Sequence, residues 1–199
     1  MSRLMASEGD SKPKQLPPAG THVARCFSVI DIGTQSDDFG ERHKIRVTWE
    51  LPDELAVFSE DKGEQPFVIS KDYTLSLYEK ANLRHDLEGW RGKQFTADEL
   101  KGFDIFTLIG VPCLLTVIHK ASKNGDKTYA NVNGISKLAK GMNCLELINP
   151  TVSYAITDGE NSVFRQLPEW LRKKIEQAQE WGQEQPSTPD EVDDDEIPF

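Results

Sequence analysis

VPCLLTVIHKASKNGDKTYANVNGI, residues 111–135, consists of two runs of strand length on either side of a turn. The first, VPCLLTVIHK, is apolar almost throughout. The second, DKTYANVNGI, alternates, so that Lys127, Tyr129 and Asn131 point opposite to Thr128, Ala130 and Val132. Between them ASKNG carries Asn124-Gly125, a pair suited to the positive φ angles of a tight hairpin turn. The stretch predicts a two-stranded antiparallel hairpin, and the fold turns on what precedes it.

Immediately upstream, T-A-D-E at 96–99 has the Ser/Thr-x-x-Glu form of a capping box and opens a short helical connector through FDIFTLIG. Before it, YEKANLRHDLEGWRGK (78–93) repeats Leu83, Leu87 and Trp90 at helical spacing, with Gly89 and Gly92 marking the stop. Three β-rich runs come earlier. THVARCFSVIDIG (21–33) sets Val23, Arg25, Phe27, Val29 and Asp31 against Ala24, Cys26, Ser28, Ile30 and Ile32, an imperfect alternation that suits a long, bent strand. After the turn signal SDDFG, RHKIRVTWEL (42–51) alternates cleanly: Ile45, Val47 and Trp49 face the core, and Lys44, Arg46 and Thr48 form a basic outer face. PFVISKDYTLSL (66–77) puts Phe67, Ile69, Lys71 and Tyr73 on one side.

Three strands, a helix and a hairpin form the succession of the OB-fold, a mainly-β, five-stranded Greek-key barrel with its helix between strands three and four. SH3-like barrels and small sandwiches share many of these features. Downstream of 140 the pattern weakens until LPEWLRKKIEQAQEW (167–181), where Trp170, Leu171 and Ile175 predict an amphipathic closing helix. Composition breaks set the bounds: a polar, Pro-bearing disordered arm at 1–19, an OB-fold-like body at 20–181, and a disordered acidic tail at 182–199.

The 199 residues allow one sizeable core plus tails. Three dispersed cysteines, Cys26, Cys113 and Cys144, contain no CxxC pair and predict neither a disulfide framework nor a zinc ribbon. No stretch is apolar enough to span a membrane, and the start lacks the apolar core of an export signal, which together predict a soluble protein of a reducing cytoplasm. The net charge of −10 is unevenly spread. Seven acids and no base lie beyond 181, leaving 26 acids against 23 bases in the rest. Between 113 and 145 five lysines meet one aspartate. The body can therefore meet a polyanion and the tail something basic.

The chain closes on EVDDDEIPF, residues 191–199. This resembles the C-terminal tip of bacterial single-stranded DNA-binding proteins, in which an OB-fold is followed by a flexible linker and an acidic segment ending in Ile-Pro-Phe. NLRHDLEGWRGKQFT (82–96) is similar to stretches of phage-encoded proteins found near recombination and replication functions. The resemblance implies a divergent single-stranded DNA-binding protein, viral or cellular, working in the bacterial cytoplasm. Its tip, Asp193, Asp194, Asp195, Glu196, Ile197, Pro198 and Phe199, would recruit replication, recombination and repair enzymes. The chemistry agrees: a buried benzyl group is worth roughly 1.5–3 kcal/mol, a terminal carboxylate can pair with an Arg, and the acids steer the tip toward a basic rim.

Single-strand binding needs cations for phosphates and aromatic faces for bases. Lys44 and Arg46, Lys71 with Tyr73, Lys120 and Lys123 in the hairpin loop, and Lys127 with Tyr129 supply both. Trp49 and Trp90 read as packing residues. Catalytic signals are poor: His22, His43, His85 and His119 are scattered, phosphate-binding glycine loops are absent, and nothing in the spacing of Asp31, Asp72 and Asp104 demands a metal triad. Asp193–Asp195 lack the glycine and closing Glu of a calcium loop. The sequence thus predicts a non-enzymatic protein without cofactor or metal. A homo-oligomer is left open. The alternative function is an adaptor or decoy that binds no DNA and uses the tip to occupy repair enzymes.

Overall fold

The computed structural model describes residues 15–37 and 40–183. The stretch at 111–135 forms the expected hairpin, β4 (Pro112–Ala121) and β5 (Thr128–Ser136). Three strands precede it: β1 (Gly20–Asp37), β2 (Gly40–Ser59) and β3 (Gly63–Thr74). They associate antiparallel in the order β3-β2-β1-β4-β5. The sheet curls into a half-barrel, and its two ends, β3 and β5, approach each other.

β1 is long: it pairs with β2 along one edge and with two strands in turn along the other. Gly20–Arg25 pairs with β4, while Ser28–Ile30 pairs parallel with β6 (Val152–Tyr154), a strand too short for its sequence to reveal. A register shift between Cys26 and Ser28 separates the halves. It also reverses the facing of the strand, because one extra residue moves the side chains that follow it, up to a second shift between Asp31 and Gly33, to the opposite side. Ala24 and Cys26 therefore face the barrel with Val29, whereas Ile30 and Ile32 face outward into a second core. The row Ala24, Cys26, Ser28, Ile30, Ile32 expected from simple alternation is split at this point.

β2 follows its predicted pattern inside the barrel, where Ile45, Val47 and Trp49 are all buried. It also runs eight residues past the predicted end, to Ser59. Pro52 has no N–H for the ladder, and the register with β3 jumps between Leu51 and Leu55 to accommodate it. The outer row departs from expectation. It is not an open basic face, since Thr48 is 8% exposed and Glu50 is fully buried. C-terminal segments cover it.

α1 (Asn82–Arg91) plugs one side of the barrel with Leu83, Leu87 and Trp90, and the Trp90 ring lies 5.6 Å from that of Trp49. A Cβ on Gly89 would come within 2.5 Å of the Ile135 carbonyl oxygen, so only glycine lets α1 reach β5 this closely. The helix ends where Gly92 takes φ +67° and donates back to Glu88. The predicted capping box forms: Thr96 N–H donates to Glu99 and Glu99 N–H to Thr96 Oγ1, opening a 3-10 turn at Glu99–Lys101.

The segment between β5 and β6 has no regular elements, yet it is tied to the barrel by two cross-strand neighbours, Arg25 and Glu50. Arg25 donates to the carbonyls of Gly110, Cys144 and Leu145. Glu50 accepts from the amides of Ile148 and Asn149 and from the Asn149 side chain. One residue thus gathers carbonyls and the other gathers amides, which satisfies a loop that has no ladder of its own.

Beyond β6, α2 (Ser162–Gln166) and α3 (Glu169–Glu176) build the second core against Ile30 and Ile32 from Tyr154, Ile156, Phe164, Leu167, Leu171, Ile175 and Ala178. Gly33, at φ +74°, permits the close approach: a Cβ there would lie 2.4 Å from Ile156 Cδ1 and 2.6 Å from Ala178 Cβ. The predicted closing helix is real but shorter than 167–181. Five residues of the predicted N-terminal arm also lie on the barrel: Pro17 is buried, and the Pro17 and Pro18 carbonyls accept from His119 and His22. No helix among the described residues is long and apolar enough to cross a membrane.

Candidate nucleic-acid interface

The eight body residues predicted to meet a strand divide into two groups of four. In the first, every cation has an internal carboxylate. Lys44 Nζ lies 2.5 Å from Asp37, and Arg46 makes two bonds to Asp72, of 2.6 and 3.1 Å. Lys71 lies 2.6 Å from Asp86. Tyr73 is only 4% exposed, and its hydroxyl donates to Asp86 at 2.7 Å. Burial first, and then the Asp86 charge, push the Tyr73 phenol well above its ordinary pKa. Its ring faces are committed to the barrel interior and offer no platform to a base, contrary to the pairing of Lys71 with Tyr73 as a strand-facing unit.

Arg46 is further fixed by the closing helix, its guanidinium carbon lying 4.4 Å from the centre of the Trp170 ring. Lys174 reaches the same Asp72 at 2.9 Å. Burial alone would raise the Asp72 pKa, but Arg46 and Lys174 outweigh it and hold the carboxyl below its usual value. The trio of Arg46, Asp72 and Lys174 staples α3 to the outer face of β2 and β3.

The second group sits on the β4–β5 hairpin. Lys120 lies directly across the ladder from Tyr129, and Lys123 and Lys127 flank the turn. Tyr129 is 51% exposed and all three lysines are exposed. Among the described residues none of the three has a carboxylate within ion-pair distance. The hairpin's own acid, Asp126, accepts from Ser122 Oγ, which also receives the Lys127 amide. Gly125, at φ +74°, donates to the Ser122 carbonyl and closes the turn that Asn124-Gly125 predicted. The turn thereby presents three exposed lysines, without a carboxylate partner among the described residues, beside one half-exposed aromatic ring.

A cavity of about 550 Å³ lies between the outer sheet face and the C-terminal helices, and sequence reasoning did not find it. Phe27, Arg46, Thr48, Ser70, Gln166 and Trp170 are among its walls. The missing signal was tertiary: the bulge in β1 and the placement of α3 bring these residues together from four distant segments. Of the three aspartates considered as a metal triad, Asp31 accepts from His43 and Gly33, Asp72 is stapled as above, and Asp104 caps the 3-10 turn Ile105–Leu108. Among the described residues no group of three His, Cys, Asp or Glu side chains is placed to hold a metal ion. Cys26 is inert by position, its thiol pushed up to about 12 mainly by burial.

The tip residues Asp193, Asp194, Asp195, Glu196, Ile197, Pro198 and Phe199 lie outside the described residues. Compared with protein-family models and with curated proteins, the chain matches none.

Proposed function

We propose that this protein is a non-catalytic single-stranded DNA-binding protein with an OB-type barrel as its body and an acidic recruiting tip at 193–199. The observation that carries the proposal is the hairpin, where Lys120, Lys123 and Lys127 stand without carboxylate partners among the described residues, around an exposed Tyr129. Cations that are already neutralised cannot release counterions from a phosphate backbone, whereas these three can, and the tyrosine supplies a stacking surface. Support for the OB-type assignment comes from β1 bonded to both β2 and β4, and from α1 placed between β3 and β4. In such barrels the loop joining the last two strands is one of the places where oligonucleotides bind.

The test is fluorescence anisotropy with oligo-dT over a range of salt concentrations. Binding should weaken with salt, each phosphate neutralised adding about 0.7 to the slope of log affinity against log salt. A body without affinity at low salt would leave the adaptor reading in its place. The tip is tested separately by retention of bacterial replication and repair enzymes on wild type, Phe199→Ala, and a form with one Gly appended after Phe199. Equal retention by all three would remove the recruiting role.

A further inference from the structure

We infer that the cavity beneath α3 is a pocket for a single nucleobase drawn out of its stack, an inference that builds on the single-strand reading above. Its volume of about 550 Å³ falls within the roughly 300–1,000 Å³ of small-ligand sites. The β1–β2–β3 sheet supplies its floor through the cross-strand row Ser28, Thr48, Ser70, and Ile30 and Arg46 of the neighbouring row line it beside them, Arg46 held by Asp72 across the ladder.

Three features narrow the occupant. First, the walls include aromatic rings from two sides of the fold, Phe27 on β1 and Trp170 on α3. Trp170 is 53% exposed although Leu171 and Ile175 of the same helix are buried, so its ring, with the Arg46 guanidinium against it, lies at the cavity edge and not in the core. Second, Arg46 is locked in place through Nε and Nη2 on Asp72, which leaves Nη1 without a hydrogen-bond partner among the described residues. A fixed donor at the end of an apolar slot suits a ring carbonyl. Third, Thr48 and Ser70 bond to each other at 2.9 Å, so one of the two hydroxyl protons remains to be given and lone pairs remain to accept. Gln166 adds an amide.

Flat apolar faces with donors and acceptors along one edge describe a nucleobase. An acyl chain would leave Arg46 Nη1 and the hydroxyls unpaired, at a desolvation cost, and a small carboxylate would meet Asp72 beside its intended partner. Arg46, Lys174 and Asp72 together leave one net positive charge near the site, the sign that a sugar-phosphate chain entering with the base requires.

The decisive variants are Ser70→Phe, which fills the cavity from an exposed strand position, and Trp170→Leu, which removes one wall from a half-exposed helix position. Near-ultraviolet circular dichroism checks that both remain folded. Affinity is read by anisotropy for a dT 12-mer and for a strand of the same length made of abasic sites, and tryptophan emission is followed with thymidine or deoxyadenosine at millimolar concentration. The pocket predicts a loss of about five-fold or more for the dT strand in both variants, no change for the abasic strand, and nucleoside quenching that only the wild type shows. Wild-type dT affinity in both variants, with no nucleoside quenching, overturns the pocket while leaving the single-strand reading intact if Lys120, Lys123 and Lys127 still matter. Nucleoside quenching without affinity for any strand keeps the pocket as a free-nucleoside site and removes the single-strand reading. Absence of both signals overturns both.

Discussion

Glu50 has no exposed surface, and its carboxylate is satisfied entirely by the Ile148 and Asn149 amides and the Asn149 side chain. Glu50→Ala would leave these donors without an acceptor under cover. We expect a loss of about 1–3 kcal/mol, read as a lower denaturant midpoint. Asp72 makes a different prediction because its carboxyl titrates from a lowered pKa. A depressed folded-state pKa contributes stability above the unfolded value, near 4, and that contribution is lost as pH falls through the folded value. Asp72→Asn should therefore lower the melting temperature at pH 7, by roughly 2 kcal/mol in free energy, with the gap to wild type closing in acid below about pH 4. A gap that stayed constant with pH would show that the carboxylate charge is not what holds α3. At this scale the sequence was legible where neighbours agreed. Trp49 follows Ile45 and Val47 and is buried with them. Tyr73 shared its row with Phe67 and Ile69, which were already marking that row as interior, and Lys71 hid the fact by reaching over to Asp86.

Among the elements, the hairpin was readable to the turn residue, since Asn124-Gly125 and a period of two are local signals that tertiary context did not override. β6 and α2 were not, being three and five residues long and therefore too short to show a period. The outer face of β2 was misjudged for a different reason: nothing in RHKIRVTWEL announces that helices about 120 residues later will cover it. The hairpin's prediction is electrostatic. Lys120→Glu, Lys123→Glu and Lys127→Glu together should reduce the salt slope by roughly 2, from about 0.7 for each lost phosphate contact, without altering the melting temperature. Tyr129→Ala should weaken binding about five-fold or more while leaving the slope unchanged, because stacking releases no counterions.

For the whole molecule, charge asymmetry matters more than net charge. Seven acids between Glu184 and Glu196 share a chain with a hairpin of exposed lysines that have no carboxylate partner among the described residues. They should compete with a strand for those lysines. Removing residues 183–199 is expected to tighten oligo-dT binding several-fold in low salt and much less in high salt, as measured by anisotropy. An unchanged low-salt affinity would mean that the two charge sets do not meet.

β1 carries residues of both hydrophobic cores on opposite faces, Ala24, Cys26 and Val29 on one and Ile30 and Ile32 on the other. Lifting the C-terminal helices would therefore bare Ile30 and Ile32 on the strand that also anchors β2 and β4. Subglobal opening is then costly, and the amides of residues 28–32 should exchange with deuterium only through global unfolding. Amides of the 122–127 turn should exchange by local fluctuation. A slow-exchanging seam at the middle of one strand, flanked by two cores that melt in a single transition, is the signature expected in a mass-resolved exchange experiment.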